Sequence, residues 1–290
     1  MNNAELKLYT KAPLPFQGQK RNFIKEIIEL VRSYNDENII FIDAFGGSGL
    51  ISNTIKYTCP KARVIWNDYD NYQQRLDNIE QTNEILKRFE FLSVYKKNEK
   101  ISDEHKELVL KICKEYEEKG YFIDYLTISS QVLFGGAYAF NFNDLKSKRF
   151  FCKAHLPILY NTQNYLKNVE RVSLDAFELI NNYKDNPNAI LVLDPPYLQT
   201  DTGGYNMSKS WTLAKFLKII TMAQSYRNFI FFSSEKSQAL EFFEWANYCN
   251  NTFSNLKIIK KTHSNLAGGK ARKGDYLFHN LANCKLGEVI

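Results

Sequence analysis

The segment Ile-Leu-Val-Leu-Asp-Pro-Pro-Tyr, at positions 190–197, decides how the rest of the chain is interpreted. Its four branched aliphatic residues are too few for a helix and predict a buried parallel strand that ends at Asp194. A residue that precedes proline avoids the helical conformation, and proline has no N–H, so the corner after this strand is rigid. The corner presents a carboxylate, backbone carbonyls and the Tyr197 ring at the carboxyl end of a strand, where open α/β sheets bind ligands.

This corner suits the activation of a weakly nucleophilic amine. The exocyclic amine of a base such as adenine has its lone pair delocalised into the ring. The Asp194 carboxylate and the Pro195 carbonyl could each accept one amino hydrogen, while Pro196 keeps the corner rigid and Tyr197 stacks on the base. The alternative is an ordinary tight turn after a strand, because aspartate and proline are common turn residues.

Length and composition predict a globular protein. The chain has 290 residues, of which 44% are hydrophobic, so it can bury a substantial core. It contains no apolar run long enough to span a bilayer, and residues 1–5 do not resemble a signal peptide, so we expect a cytoplasmic protein. The five cysteines form no CxxC pair and the four histidines lack metal-ligand spacing, so we expect no bound metal.

The net charge of +6 is compatible with a polyanionic partner. Basic residues gather within residues 11–25, 146–153 and 257–273, and phenylalanines accompany the middle group. Such interleaving is typical of a nucleic-acid face, although a solvated charged surface explains any single cluster about as well. The candidate contact residues are Lys146, Lys148, Arg149, Lys153, Lys270, Arg272 and Lys273.

A glycine-rich turn predicts a cofactor site. A buried strand at residues 39–42 leads into Asp-Ala-Phe-Gly-Gly-Ser-Gly at residues 43–49, where glycines let the backbone approach a ligand closely. The turn lacks the Lys-Ser/Thr of a P-loop and does not fit G-x-G-x-x-G, which favours a nucleoside that carries an amino acid. The candidate contacts are Asp43, Phe45, Gly47 and Gly49, although glycine-rich turns without a ligand are also common.

Other residues extend this predicted site. Asp68 follows a third predicted strand at residues 64–66 and lies 19 positions after Gly49, a spacing typical of an acid that binds both ribose hydroxyls. Asp175 and Phe177 offer a carboxylate and a ring near an adenine moiety. The loop at residues 11–21, with Lys20, could hold an anionic or carboxylate group, or it could be only an N-terminal connector.

The spacing of the strands predicts an insertion. The ends of the first and fourth predicted strands lie 151 positions apart, whereas three βα units need about 75 to 90 residues, which leaves roughly 60 to 75. We predict one domain at residues 1–70 and 167–290 and a substrate-recognition insertion at residues 71–166. The apolar stripe that begins at Trp211 is interpreted as a helix that packs in the core.

The order of these parts resembles the N6-adenine DNA methyltransferases of the Dam type, also called the D12 class. Residues 16–20 resemble the family's N-terminal cofactor motif, residues 43–49 its glycine motif, and residues 67–68 its ribose-binding acid. Residues 194–197 match the catalytic Asp-Pro-Pro-Tyr motif without departure, and residues 263–276 resemble the last conserved block. Cytosine-N4 enzymes usually carry serine at the position of Asp194, so the resemblance favours adenine.

The resemblance implies an α/β fold, doubly wound and Rossmann-like as in class I methyltransferases, with an inserted, mainly helical target-recognition domain. It implies S-adenosylmethionine as the methyl donor and duplex DNA as the substrate, in a prokaryote or a phage, and it leaves open a cognate restriction endonuclease as a further partner. The implied catalytic residues are Asp194, Pro195, Pro196 and Tyr197. The implied cofactor-binding residues are Phe16, Gly18, Lys20, Asp43, Phe45, Gly47, Gly49, Asp68, Asp175, Phe177 and Asp194.

Two alternatives stay open. Related Asn/Asp-Pro-Pro-Tyr corners serve RNA and protein amino-group methyltransferases, although the long insertion argues against these substrates. A DNA-binding relative that has lost catalysis is the other alternative, although every motif position that the chemistry needs is intact. Residues 131–149 differ from the hairpin with which Dam enzymes read GATC, so the resemblance does not extend to a GATC target.

Overall fold

The chain forms two compact units. The computed structural model describes residues 6–135, 137–153, 158–197, 211–264, 272–282, 284 and 286–289. The first unit comprises Met1–Lys11, Gly18–Asp70 and Asn164–Ile290, and the second comprises Ala12–Gln17 and Asn71–Gln163.

The short segment Ala12–Gln17 belongs to the second unit, whereas the sequence had predicted one uninterrupted domain over residues 1–70. Two residues of the second unit hold this segment. The Tyr72 hydroxyl accepts a hydrogen bond from the Leu14 N–H at 3.0 Å and donates one to the Leu14 carbonyl at 3.1 Å. The Arg75 guanidinium donates to the Pro15 carbonyl at 2.9 Å. These buried bonds satisfy backbone groups that a free connector would leave to water.

In the described residues, eight strands form one sheet in the first unit, in the order β3-β2-β1-β4-β5-β7-β6-β8. Neighbours from β3 to β5 are parallel, whereas β7 is antiparallel to β5 and β6, and β8 is antiparallel to β6. The strands are β1 Ile40–Asp43, β2 Arg63–Asn67, β3 Glu170–Val172, β4 Ala189–Leu193, β5 Asn228–Ser234, β6 Lys257–Ser264, β7 Arg272–His279 and β8 Glu288–Val289.

The strand order confirms the predicted doubly wound α/β fold. The chain builds outward from β1 through β2 to β3 and then returns to the other side of β1 with β4 and β5. The order therefore reverses between β1 and β4, and open α/β sheets bind ligands at the carboxyl ends of the strands on either side of such a reversal. Every residue of β4 is buried, as expected for a parallel strand covered on both faces.

Helices cover the sheet and build most of the second unit. Among the described residues the α-helices are α1 Ile24–Val31, α2 Leu50–Thr58, α3 Tyr72–Asp77, α4 Ile79–Lys87, α5 Asp103–Glu118, α6 Tyr125–Val132, α7 Phe142–Ser147, α8 Ala176–Tyr183, α9 Leu213–Gln224 and α10 Ala239–Asn250. Helices α3 to α7 lie in the second unit and the others in the first. None of the described helices is long and apolar enough to cross a membrane.

Helix α9 begins later than the sequence predicts. The Thr212 side chain accepts a hydrogen bond from the Lys215 N–H at 3.3 Å and so caps the helix that starts at Leu213. Trp211 therefore precedes the helix, which corrects its placement in a helical stripe, whereas its predicted packing against the core is confirmed. The apolar side chains Phe216, Ile219 and Ile220 of α9 do pack into the core, together with Phe231 of β5.

The second unit has its own core. Phe89, Val109, Ile128 and Phe150 are buried in it, and a backbone bridge between Leu133 and Phe150 joins its later segments. Inside the unit the Arg75 guanidinium pairs with the Asp124 carboxylate at 3.0 Å, and both side chains are almost fully buried. A buried ion pair of this kind needs further hydrogen bonds to offset desolvation, and Thr127 supplies them to Asp124 from its N–H and its hydroxyl.

Candidate functional site

Carboxylates lie at the carboxyl ends of adjacent parallel strands in the first unit. Asp43 is the last residue of β1, Asp68 follows β2, and Asp194 follows β4. Asp43 is aligned with Val192 of β4, so Asp194 stands two residues further along the neighbouring strand. Since β1 and β4 flank the reversal of strand order, Asp43 and Asp194 share the edge where this fold class binds ligands.

Lys20 is the cation at this edge. Its Nζ atom lies 2.5 Å from Asp194 Oδ2 and donates a second hydrogen bond to the Gly18 carbonyl at 2.7 Å. The Lys20 side chain is 9% exposed and that of Asp194 is 23% exposed, so water screens the pair only in part. The Lys20 ammonium also lies 5.3 Å from the centre of the Tyr197 ring, within reach of a cation–π attraction.

The chemistry of the Asp-Pro-Pro-Tyr corner depends on this cation. Burial raises the pKa of Asp194, while the charge of Lys20 and its hydrogen bond lower it. The Tyr197 hydroxyl lies 3.5 Å from Asp194 Oδ1, and burial together with the Asp194 charge raises the pKa of Tyr197 well above its ordinary value. The corner thus combines a carboxylate whose ionisation Lys20 favours with a tyrosine that stays neutral.

Asp43 is the more deeply buried carboxyl group. The Ser52 hydroxyl of α2 donates to Asp43 Oδ2 at 2.6 Å. Burial raises the pKa of Asp43 to about 7, Ser52 and Lys20 lower it, and the nearby negative charge of Asp194 raises it. A cationic ligand beside Asp43 would favour its ionised form, because an opposite charge at close range stabilises the carboxylate.

The glycine turn is packed too closely for other residues. Gly49 has φ +75°, and a Cβ atom there would lie 2.8 Å from Leu166 Cδ1. A Cβ at Gly46 would lie 2.2 Å from Cδ1 of the buried Trp66. Gly47 belongs to the same turn.

A segment that sequence reasoning missed holds this turn from outside. The Tyr165 hydroxyl donates to the Ser48 carbonyl at 2.7 Å, and the Leu166 N–H donates to Asn53 Oδ1 at 2.9 Å. Leu166 has a φ of 56°, which is unusual for an apolar residue and is kept only where surrounding contacts enforce it. No local sequence pattern links these residues to the turn, since Tyr165 and Ser48 are 117 positions apart.

The predicted ribose-binding acid already has a partner. Asp68 is fully buried, and the Arg171 Nε atom lies 2.8 Å from Asp68 Oδ2. The neighbouring Asn67 donates to the Ala44 and Leu174 carbonyls at 2.9 and 3.0 Å, which ties the ends of β1, β2 and β3 together. Arg171 and Asn67 were not among the predicted site residues.

Three aromatic rings meet near the ends of β1 and β3. The Phe45 ring packs edge-on against the Trp211 indole at 5.6 Å, and the Phe177 ring stacks with it at 6.3 Å. Asp175, which is predicted to lie near an adenine moiety, also caps a helix. Its exposed side chain caps α8 by accepting hydrogen bonds from the Phe177 and Glu178 N–H groups at 2.9 and 3.3 Å.

Phe16 belongs to the second unit, whereas the other predicted cofactor residues belong to the first. Its ring packs edge-on against Tyr72 at 5.6 Å. The role assigned to Phe16 by the N-terminal motif therefore stays a prediction.

The predicted DNA-contacting residues of the second unit differ in their surroundings. Lys146 and Arg149 are exposed, whereas Lys148 pairs with Asp144 at 3.1 Å. Lys153 is half-buried, and burial lowers its pKa.

In the first unit, the backbones of Arg272 and Lys273 lie in β7, and Lys270 falls outside the described residues. Within the described ranges, no three His, Cys, Asp or Glu side chains are grouped so that they could hold a metal ion.

Comparison with known proteins identifies the family. The model of the family described as "D12 class N6 adenine-specific DNA methyltransferase" matches residues 16–264. The chain belongs to this D12 family. A Haemophilus influenzae protein named "Putative methyltransferase" is 35% identical over 268 residues, which cover 88% of each protein. The family assignment confirms the resemblance drawn from the cofactor and catalytic motifs, and it does not favour an RNA or protein substrate.

Two solved structures are similar to the D12 chain at low sequence identity. Precorrin-6y C5,15-methyltransferase from Geobacter metallireducens aligns with a TM-score of 0.41 and 8% identity, over 94% of this chain and 98% of that protein. An rRNA methylase from Streptococcus thermophilus aligns with a TM-score of 0.35 and 12% identity, over 89% and 96% respectively.

Proposed function

We propose that this D12-family protein transfers the methyl group of S-adenosylmethionine to N6 of an adenine flipped out of duplex DNA. The observation that carries the proposal is the Asp-Pro-Pro-Tyr corner after β4, which lies beside Asp43 of β1 where the strand order reverses. A flipped base needs acceptors for its amino group and a ring to stack on, and Asp194, Pro195 and Tyr197 are groups of these kinds.

The residues at this edge fit S-adenosylmethionine. Gly46 and Gly49 let the turn pack against Trp66 and Leu166, where a Cβ would clash, and so keep a tight turn next to Asp43. Asp43 suits the cationic amino-acid end of the cofactor. Asp68 suits the ribose hydroxyls, with Arg171 orienting its carboxylate. The proposed cofactor residues of the first unit are Gly18, Lys20, Asp43, Phe45, Gly47, Gly49, Asp68, Asp175, Phe177 and Asp194.

When bound, S-adenosylmethionine supplies an electrophilic methyl group on a sulfonium centre. The protein's part is to make the adenine amine a better nucleophile. The Asp194 carboxylate and the Pro195 carbonyl accept its two N–H groups, which favours the positive charge that develops on nitrogen. As the new C–N bond forms and the S–CH3 bond breaks, S-adenosylhomocysteine would be the leaving group, and the methylated nitrogen would give up its extra proton to Asp194 or to water. Tyr197 stacks on the base and fixes the amine in line for attack, so most of the rate enhancement comes from positioning. Burial raises the pKa of Asp194, and Lys20 opposes this and favours the ionised form that the task needs.

Basic residues are proposed to hold the DNA backbone. Lys146 and Arg149 are exposed and can reach phosphates. Lys270, Arg272 and Lys273 are proposed as further contacts on their charge in the sequence alone. Lys148 and Lys153 would contribute less, because one is paired with Asp144 and burial lowers the pKa of the other. A cognate restriction endonuclease remains a hypothesis, which a search for cleavage of the unmethylated target by host extracts would test.

The variant Asp194→Ala tests the assigned roles. We expect it to abolish methyl transfer to duplex DNA, whereas calorimetry should still detect binding of S-adenosylmethionine, weakened only by the loss of one of the proposed cofactor contacts. Two variants of Tyr197 separate the contribution of its ring from that of its hydroxyl. Tyr197→Phe keeps the ring and should retain a larger share of the methyl-transfer activity than Tyr197→Ala. Equal loss of transfer and of cofactor binding in Asp194→Ala would contradict the role given to Asp194.

A further inference from the structure

Asp275 of β7 is an acidic residue outside the proposed catalytic and cofactor sets. It is half-buried, and in the antiparallel pairing of β5 with β7 it lies directly opposite Ser234. Side chains of directly opposite residues project from the same face of a sheet. Asp275 and Ser234 therefore share one face of the sheet, at the carboxyl end of β5.

This face also carries the Lys20 ammonium. Side chains alternate along a strand, so Phe232 projects on the same side of β5 as Ser234. The Lys20 ammonium lies 5.9 Å from the centre of the Phe232 ring. The last residue of β4 that pairs with β5 is Leu193, directly before Asp194. On this face, Asp194 therefore lies on one flank of the β5 end, and the acid of β7 lies on the other flank.

The charges around Asp194 oppose one another. Lys20 binds it directly, and the Tyr197 hydroxyl lies 3.5 Å from its Oδ1 atom. Asp43 of β1 is close enough for its negative charge and that of Asp194 to repel each other. Burial raises the pKa of Asp194, Lys20 lowers it, and the charge of Asp275 raises it again.

A second ion pair lies beside Asp275. Lys261 of β6 is directly opposite Asp275 and pairs with Glu26 of α1. The charges of Lys261 and Glu26 balance each other, so Asp275 adds a negative charge to this face. The Phe23 ring, just before α1, packs against Phe232 at 5.6 Å and shields the face from water. Charges that water screens only in part interact more strongly than exposed ones.

We propose that Asp275 is a positioning residue for methyl transfer, which acts through Asp194 by strengthening that carboxylate as an acceptor. This inference rests on the proposed function. A carboxylate paired with a lysine is a weaker base, because the cation stabilises its charged form. The negative charge of Asp275 offsets this effect of Lys20. After the methyl group has moved, an N–H bond of the cationic amine breaks, its electron pair stays on nitrogen, and the proton passes to Asp194 and from there to water.

The test compares charge-removing and charge-keeping variants of Asp275 in the whole chain. Asp275→Asn and Asp275→Ser remove the charge, and Asp275→Glu keeps it. The matched control is Asp185→Asn, which removes an exposed charge before the amino end of β4, whereas Asp194 follows its carboxyl end. The measurement is the pH dependence of kcat on genomic duplex DNA free of adenine methylation, with S-adenosylmethionine saturating. Urea denaturation reports separately on the stability of each variant.

We expect the acidic limb of the kcat profile to move to lower pH by about half a pH unit in Asp275→Asn and Asp275→Ser, because the like charge that opposes ionisation of Asp194 is lost. The plateau of kcat should fall about threefold, because a weaker base is a weaker acceptor for the amino hydrogen. Asp275→Glu and Asp185→Asn should keep the profile of the unmodified protein. The shift is opposite to that expected from loss of the Lys20 cation, so Lys20→Gln combined with Asp275→Asn should bring the limb back toward its original position.

An acidic limb that stays in place or moves to higher pH when the Asp275 charge is removed would overturn the inference. An equal shift in Asp185→Asn would do the same. A lowered unfolding midpoint without a shift of the limb would show that Asp275 only stabilises the fold. Absence of N6-methyladenine with the unmodified protein would instead contradict the proposed function itself, and this inference with it.

Discussion

The Lys20 ammonium and the Asp194 carboxylate form a short, partly buried ion pair, with Nζ 2.5 Å from Oδ2. The two residues are 174 positions apart, and the fold brings the N-terminal segment to the end of β4. Burial raises the pKa of Asp194, and Lys20 is the main influence that lowers it. This pair therefore links the motif at residues 16–20 to the protonation state of the proposed catalytic acceptor.

Replacing Lys20 should shift the pH dependence of methyl transfer. In Lys20→Gln the cation that lowers the pKa of Asp194 is lost, so Asp194 takes up a proton at higher pH. We expect the acidic limb of the kcat profile to move upward by about one pH unit. Lys25→Gln, an exposed lysine of α1, is the control and should leave the profile in place. A kcat profile that does not move in Lys20→Gln would show that Lys20 does not govern Asp194.

Replacing Asp43 should stabilise the protein at alkaline pH and weaken cofactor binding. The pKa of Asp43 is raised to about 7 by burial, whereas an aspartate in the unfolded chain titrates near 4. As pH rises through this window the unfolded state loses the proton first, so the folded state loses stability. The side chain of Asp43→Asn cannot titrate. In urea denaturation its free energy of unfolding at pH 8 should be about 2 to 4 kcal/mol higher than that of the unmodified protein, with no increase near pH 4.

The control for this comparison is Asp185→Asn, which changes an exposed carboxylate of the same unit. It should show no comparable gain at pH 8. The Asp43→Asn variant should also bind S-adenosylmethionine more weakly, because the negative charge proposed to face the cationic end of the cofactor is gone. Tighter cofactor binding by Asp43→Asn would be inconsistent with the proposed site.

The buried Arg75–Asp124 ion pair of the second unit should contribute far more to the stability of the protein than an exposed ion pair. Arg75→Met leaves the buried Asp124 carboxylate without its cation and removes the bond to the Pro15 carbonyl. We expect the free energy of unfolding to fall by about 3 kcal/mol in urea denaturation. Arg88→Met removes the exposed pair with Glu115 and should stay close to the unmodified protein. Similar losses in the two variants would argue against a structural role for burial of the Arg75–Asp124 pair.

The salt dependence of DNA binding should identify the phosphate contacts. The logarithm of the association constant for DNA falls linearly with the logarithm of the salt concentration. Removing one cation that contacts a phosphate reduces the magnitude of this slope by about one. Arg149→Gln should show this decrease, since Arg149 is exposed. Lys148→Gln should show a smaller one, because Asp144 already balances its charge. An unchanged slope in Arg149→Gln would remove Arg149 from the DNA interface.

The parts of the site that could be predicted from the sequence are those with short-range patterns. Runs of branched aliphatic residues predicted β1 and β4. The same short segments contain Asp43, which ends β1, and Asp194, which follows β4. The pairing of Asp68 with Arg171 had no such pattern, because these residues are 103 positions apart. Trp211 was mistaken for the start of a helical stripe because the capping role of Thr212 cannot be told from spacing alone.

The measurement that tests the central claim most directly is the detection of N6-methyladenine by mass spectrometry. Duplex DNA free of adenine methylation is incubated with S-adenosylmethionine and the protein, then digested to nucleosides. The account predicts N6-methyladenine with the unmodified protein and none with Asp194→Ala. N4-methylcytosine in its place, methylation confined to RNA or protein, or equal N6-methyladenine from Asp194→Ala would contradict it.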